Sequence, residues 1–320
     1  MKTLFPMSVL VAALVAAPAW AQSYPAKPVL VILPLGAGSA SDIAVRTLAE
    51  RLSTALKQQV LVENQPGAAG LIGAERAAKA RPDGYTLTAL NNSIMTTVPH
   101  VYSKVGFDPL KSFSPISILV TIPTVLIVHP SLPAKSVKEL VALAKARPGQ
   151  ILYSSGGVGS PQQLAMEIFK NTTGTDMLHV PYKGAPAATL DVVAGNVQVM
   201  FNGLSSPLPH IKSGRLRGLA MAGARRSVLL PDVPTVQETG VPYVYEQWLA
   251  LLAPAGTPAD IVGRLNAETV QILAIPAVKE TLTLQALDVV GSRPEDVTKA
   301  VSTDLPKMAK LIKQLGIKSE

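Results

Sequence analysis

A glycine-rich run of small residues joins a short apolar stretch to an amphipathic one in the middle of the chain. Residues 151–153 are apolar, with β-branched and aromatic side chains that are typical of a strand. Apolar side chains then recur at helical spacing between Leu164 and Phe169. Ser160 suits the N-cap of that helix and Pro161 its first residue. The order of strand, loop and helix restricts the chain to folds in which strands and helices alternate.

The start of this predicted helix suits an anionic ligand. Free backbone N–H groups of its first turn, at Gln162 and Gln163, point out of an end that carries about half a positive charge. The glycines of the loop, Gly156 and Gly159 among them, let a ligand approach the backbone. We expect this loop to hold a small anion without a cationic side chain; the alternative is an ordinary connection between a strand and a helix.

A second unit of the same kind lies near the start of the chain. Residues 28–33 have a buried-strand pattern, and a small-residue loop with Ser39 and Ala40 leads into a predicted helix. Ser39 or Ser41 can cap that helix, and Asp42 in its first turn suits the helix dipole. We expect a second anion-binding helix start here.

The same loop partly matches a dinucleotide-binding fingerprint. Gly36 and Gly38 have the required spacing, and Glu63 follows the next predicted strand. Ser41 occupies the position of the third glycine, so the match is weak. We expect no nucleotide and no other cofactor.

Polar side chains follow two further predicted strands. Asn92 and Ser93 come after the strand at residues 85–90, where a parallel sheet presents its ligand crevice; an Asn-rich turn is the alternative. Tyr182 and Lys183 lie between a strand and a helix, on the side of the sheet where Ser155 is expected. Lys183 either pairs with a carboxylate or is a solvated loop lysine.

The first 21 residues have the form of a secretory signal peptide. Lys2 precedes an apolar run at residues 4–17, and Ala19 and Ala21 provide a small-residue cleavage site. We expect cleavage before Gln22 and export of the remaining chain.

Composition and motif content exclude several classes of protein. The chain has no cysteine, so it has no disulfide bonds or thiolate metal sites. Its net charge is +8, but lysine and arginine are scattered and aromatic residues amount to 4%, unlike a nucleic-acid-binding surface. The hydrolase pattern Gly-x-Ser-x-Gly does not occur, and no histidine has metal-ligand spacing to another ligand. We expect neither an enzyme nor a metal protein; the isolated histidines are His100, His129, His179 and His210.

Five motifs spread along the chain resemble those of the Bug family, the periplasmic solute receptors associated with tripartite tricarboxylate transporters. They are VENQPG at 62–67, DGYTL at 83–87, HVPYKG at 179–184, LPDVPTV at 230–236 and APAGTP at 253–258. The resemblance implies a periplasmic α/β protein of the periplasmic binding protein type II kind, with two lobes and a hinge (a Venus flytrap). It also implies that loops of both lobes hold a small carboxylate, and that the monomeric receptor delivers it to subunits of an inner-membrane transporter.

Two apolar stretches suggest where the chain passes between the lobes. Residues 113–128 read as one extended strand in which Pro123 marks the crossing, and residues 243–252 carry the chain back. We therefore predict one discontinuous lobe of residues 22–122 and 247–320, and a second lobe of residues 123–246.

The candidate ligand-binding residues come from the ends of the predicted strands in both lobes. Two places depart from the pattern of the family: Ala37, Ser39 and Ala40 stand where members often have glycines, and Asn202 stands where an acidic residue is common. The full set is Ser39, Ala40, Ser41, Asp42, Asn92, Ser93, Ser155, Gly156, Gly159, Ser160, Gln162, Tyr182 and Asn202.

These expectations leave the identity of the carboxylate open. Dicarboxylates, tricarboxylates, aromatic acids and acidic amino acids all present the group that backbone donors recognise. Two other functions are alternatives to a transport receptor: an exported α/β enzyme acting on a small carboxylate, and a sensor or interaction protein without a transport role.

Overall fold

The computed structural model describes residues 24–319, in which strands and helices alternate. The predicted signal peptide lies outside these residues. The elements are, in order, β1 (Val29–Leu33), α1 (Ala40–Leu56), β2 (Val60–Asn64), α2 (Leu71–Ala78), β3 (Thr86–Asn91), α3 (Asn92–Thr96), α4 (Val98–Val101), β4 (Phe113–Ile122), β5 (Thr124–Val128), α5 (Val137–Ala146), β6 (Leu152–Ser155), α6 (Pro161–Thr173), β7 (Leu178–Pro181), α7 (Ala185–Val193), β8 (Val199–Gly203), α8 (Leu208–Lys212), β9 (Arg217–Met221), β10 (Gln247–Pro254), α9 (Ala259–Ala274), α10 (Pro276–Leu284), β11 (Asp288–Val289) and α11 (Pro294–Leu315).

The strands form two mixed sheets. The first has the order β11-β4-β10-β3-β1-β2, and the second has the order β7-β6-β8-β5-β9. In the first sheet β1 is parallel to β2 and β3, whereas β10 is antiparallel to β3 and β4. In the second, β6 is parallel to β7 and β8, and β5 is antiparallel to β8 and β9. The expected α/β fold with two lobes is confirmed.

Helices cover both faces of each sheet, which explains why the strands read as continuous apolar runs. On the first sheet, side chains of α1, α9 and α10 pack on one face, and those of α2, α3 and α11 on the other. On the second sheet, α5 and α6 cover one face and α7 and α8 the other. Each lobe is therefore a three-layer sandwich with its own core.

The chain crosses between the sheets at Pro123 and again at Gln247. The single strand predicted over residues 113–128 is two strands in different sheets, β4 and β5, because Pro123 lacks the N–H that a continuous ladder needs. The Gln247 side-chain amide donates to Thr124 Oγ1 at 2.7 Å and links the two crossings. A short, hydrogen-bonded pair of strands thus joins the lobes.

Helix α11 packs against both lobes. Val297 and Val301 belong to the core beside the first sheet, whereas Ile312 and Ile317 belong to the core beside the second. Pro306 lies between these two groups, inside a helix that continues to Leu315. When the chain is divided by sheet membership, α11 belongs to the first lobe. Its last turns nevertheless pack against the second lobe.

Candidate ligand-binding cleft

A cavity of about 500 Å³ lies where the carboxyl ends of the parallel strands of both sheets meet. The loops that follow β1 and β2 and the end of β3 line it from the first lobe, and the loops that follow β6 and β7 and the end of β8 line it from the second. This is the position at which open α/β sheets bind their ligands. The lining includes eight of the predicted residues: Ser39, Ala40, Ser41, Gly156, Ser160, Gln162, Tyr182 and Asn202.

Ser39 caps the helix start on the first lobe. Its hydroxyl accepts from the Asp42 backbone N–H at 3.3 Å, as predicted for the serine pair. The Asp42 carboxylate does not line the cavity, because it accepts from Gly38 N at 2.9 Å and from the side chains of Arg46 and Asn64 at 3.0 and 2.8 Å. Asp42 therefore stabilises the loop that precedes α1 through these hydrogen bonds, on the side away from the cavity.

Ser160 caps the helix start on the second lobe, and Pro161 is the first helical residue, both as predicted. The Ser160 hydroxyl accepts from Gln163 N at 3.4 Å. The Gln163 side chain accepts from Gly159 N at 2.7 Å, so this amide is not free for a ligand. Ser155 and Gly159 lie outside the cavity lining and contact protein groups instead.

Asn92 and Ser93 also lie outside the cavity lining, and both connect the lobes. Ser93 donates to Gly159 O at 2.7 Å, and the Asn92 amide donates to Glu246 O at 3.1 Å. Tyr102 adds a third contact, since its hydroxyl donates to Val158 O at 2.9 Å. The cleft is closed in this structure, because hydrogen bonds cross it.

Tyr182 and Asn202 form part of the wall on the second lobe. The Tyr182 hydroxyl donates to Asp191, and partial burial together with this carboxylate raises the tyrosine pKa to about 12. Asn202 is 3% exposed; its amide donates to Thr189 Oγ1 at 2.8 Å, and its oxygen accepts from Gly203 N at the same distance. The amide of Gln162 reaches the same oxygen at 3.3 Å. Both side chains are thus fixed by protein partners and present neutral groups to the cavity.

The loop after β2 was missed as a binding element by the sequence interpretation. Residues 66–70 line the cavity, and Ala68 and Ala69 have φ of 46° and 52°. Such left-handed backbone costs about 1–2 kcal/mol for a residue with a Cβ and is concentrated at functional sites. The Pro66-Gly67 pair that follows a strand was the available signal for this loop.

The lining is positively charged. Among the described residues that line the cavity, Lys183 and Lys318 are the charged ones, and neither aspartate nor glutamate is present. Lys318 follows α11, and Ser319 N donates to Val101 O at 3.0 Å, which anchors this segment beside the cleft. The arrangement favours an anion, because both cations and two helix starts surround the same space.

Residues 24–319 contain neither a cluster of metal-ligating side chains nor a helix suited to cross a membrane. No group of three or more metal-ligating side chains occurs among them. Over the same residues, no helix combines the length and apolar character that a membrane crossing requires.

Known proteins of one receptor family resemble this chain over most of its length. The family model of the tripartite tricarboxylate transporter family receptor matches residues 44–317. Protein BugT of Bordetella pertussis (strain Tohama I) is 34% identical over 306 residues, which cover 95% of this chain and 94% of BugT.

Two solved structures from Rhodopseudomonas palustris are similar along nearly the whole chain. Rpa4515, determined with adipate, is 32% identical with a TM-score of 0.89, over 92% of this chain and 99% of its own. MatC, determined with bound malate, is 27% identical with a TM-score of 0.86, over 90% of this chain and all of its own.

Proposed function

This chain belongs to the tripartite tricarboxylate transporter receptor family, and we propose that its ligand is a small carboxylate held between the two lobes. Members of the family are solute-binding receptors and not enzymes, and membership implies a periplasmic location. We propose further that the loaded receptor, as a monomer, delivers this carboxylate to a membrane transporter of the tripartite tricarboxylate type.

The observation that carries the proposal is the charge of the cleft. The first turns of α1 and α6 enter the cavity from opposite lobes, and Lys183 and Lys318 lie on its wall without a neighbouring acid in the described lining. Helix starts and lysines both attract carboxylates. The adipate in Rpa4515 and the malate in MatC add support from similar structures, since both compounds are dicarboxylates.

The proposed ligand contacts are the eight predicted residues that line the cavity, together with Asn91, Lys183 and Lys318. Lobe boundaries at residues 122/123 and 246/247 stay part of the proposal, supported by the sheet to which each strand belongs. Cleavage before Gln22 likewise stays a prediction.

A thermal-shift screen tests the proposed ligand class. We expect one of the dicarboxylates, tricarboxylates, aromatic acids or acidic amino acids to raise the melting temperature without being consumed. A ligand at 100 times its Kd stabilises the native state by about 2.7 kcal/mol through mass action. The matched control is the corresponding amide, which has the same shape without the charge. A protein that no carboxylate stabilises, or that the amide stabilises equally, would contradict the proposal.

Replacement of both capping residues of α6 tests the second helix start. We expect Ser160→Ala combined with Pro161→Gly to weaken carboxylate binding about fivefold, because loss of an N-cap costs about 1 kcal/mol. Titration calorimetry measures this change. Ser136 is the equivalent cap of α5: its hydroxyl accepts from Glu139 N at 3.2 Å, outside the cavity lining. Ser136→Ala should therefore leave the affinity for the carboxylate unchanged. Equal affinity in the double variant and the wild type would remove this loop from the site.

A further inference from the structure

A buried polar network lies behind the loop of residues 156–160, which we call the ligand loop. His179, the second residue of β7, is partly buried at the centre of this network, and no binding role was expected for it from the sequence. Its Nε2 atom is 2.6 Å from Ser155 Oγ, and its Nδ1 atom is 3.2 Å from the side-chain nitrogen of Gln163. The imidazole also stacks on the Tyr153 ring, with ring centroids 4.8 Å apart.

The hydrogen bonds specify one form of this histidine. Gly159 N can only donate, so the Gln163 atom that it reaches at 2.7 Å is the amide oxygen. The Gln163 nitrogen must then donate to His179 Nδ1, which leaves the ring proton on Nε2, pointing at Ser155. The imidazole is therefore neutral, with Nδ1 as the acceptor and Nε2–H as the donor.

Each partner of the imidazole holds a different backbone amide of the ligand loop. Ser155 Oγ accepts from Gly157 N at 3.1 Å, and its own hydrogen reaches Gly157 O at 3.1 Å. The side-chain oxygen of Gln163 likewise accepts from Gly159 N. Gly157 and Gly159 have φ of 124° and 83°. Because glycine adopts many backbone conformations at little steric cost, contacts such as these select one of them.

We propose that His179 is a positioning residue for ligand binding: its neutral imidazole fixes Ser155 and Gln163, and through them the shape of the ligand loop. This inference rests on the proposed function, because the loop is taken to contact the carboxylate. His179 itself is not among the residues that line the cavity.

The charged groups around the ring agree with a neutral imidazole. Burial lowers the pKa of His179 to about 4, with Glu167 acting to raise it and Lys170 to lower it. Glu167 accepts from Lys170 Nζ at 2.9 Å and from the Tyr153 hydroxyl, so its charge is already paired. The unfolded chain takes up this proton near pH 6.5, whereas the folded protein takes it up near pH 4. The folded state therefore has its full stability above pH 6.5 and loses stability relative to the unfolded chain as the pH falls towards 4.

Nuclear magnetic resonance of the Gly157 and Gly159 amides, measured on the ligand-free protein, tests the positioning role. His179→Phe keeps an aromatic ring against Tyr153 and removes both hydrogen bonds. We expect both glycine amide signals to move and the affinity for a stabilising dicarboxylate to fall about tenfold. His179→Gln places an amide donor near Ser155. In this variant the Gly157 signal should therefore lie closer to its wild-type position than the Gly159 signal does. On acidification of the wild type, both signals should follow the His179 titration.

His129→Phe is the matched control, since His129 is also a partly buried histidine and its Nδ1 lies 2.7 Å from Ser131 Oγ outside the cavity lining. Unchanged glycine signals in His179→Phe, or equal shifts in the control, would overturn the proposal. If His179→Phe does not fold, Gln163→Met supplies the test, because Gln163 reaches Gly157 only through His179 and Ser155. An unmoved Gly157 signal is then the overturning result. If no carboxylate binds the wild type, the proposed function fails, while the glycine signals still decide the role of His179.

Discussion

Asn202→Asp is expected to weaken binding of a dianionic ligand by roughly 30-fold or more. The side chain lines the cavity and is 3% exposed, so a carboxylate there repels the ligand through little water. At an effective dielectric constant of about 20, two unit charges about 7 Å apart repel by about 2 kcal/mol, and the second ligand charge adds to this. A zwitterionic amino acid should lose less affinity, because its ammonium group is attracted. Calorimetric titration with adipate, malate and aspartate compares the three.

Two controls separate the charge from its side effects. Thr189→Val removes the acceptor of the Asn202 amide, found at 2.8 Å, without adding charge, and should reduce stability more than affinity. Asn171→Asp adds the same charge at an exposed position of α6 and should change neither property much. If Asn202→Asp binds the dianion as tightly as the wild type does, Asn202 does not face the ligand.

Gly36→Leu is expected to prevent full closure of the lobes and to remove most of the measurable affinity. A Cβ atom at Gly36 would lie 3.5 Å from Pro186 Cδ on the opposite lobe, which is ordinary contact distance. The leucine side chain extends beyond this Cβ atom, and we expect its remaining atoms to hold the lobes apart. A ligand that touches both helix starts gains its full set of contacts only in the closed form, so it stabilises that form by differential affinity.

Small-angle X-ray scattering measures closure directly. The wild type should become more compact with saturating ligand, whereas Gly36→Leu should not. Gly36→Ala is the control, because a methyl group fits at 3.5 Å and should preserve both closure and binding. A wild-type protein that is equally compact with and without ligand would disprove the hinge mechanism, even with the carboxylate assignment intact.

Local rules predicted the helix starts well and the partners of individual side chains poorly. Ser160 and Pro161 occupy their predicted positions because capping depends on a few neighbouring residues. The role of Ser93 depends on a contact with Gly159, 66 residues away, which no local pattern encodes. Asp42 was counted as a ligand contact because it adjoins a helix start, but Asn64 and Gly38 already use its oxygens.

Backbone conformation explains the loop that was overlooked. Ala68 and Ala69 adopt positive φ, which alanine disfavours, so the sequence alone does not indicate the shape of residues 66–70. His179 illustrates a related limit: an isolated histidine is usually structural, and here its contacts are indeed with protein groups. Its relation to the cleft becomes visible only when β6, β7 and α6 are seen together.

The hydrogen bonds that close the cleft from the first lobe end on backbone oxygens. Ser93 and Tyr102 donate to Gly159 O and Val158 O, and every amino acid supplies such an acceptor. The walls that face the ligand, by contrast, are built from side chains such as Tyr182 and Asn202. Under the hinge mechanism proposed above, selectivity can therefore diverge by substitution in the walls while these closing hydrogen bonds are kept. Under the same mechanism, a redesigned wall would let a new analyte close the lobes, which is the change of shape that a biosensor reports.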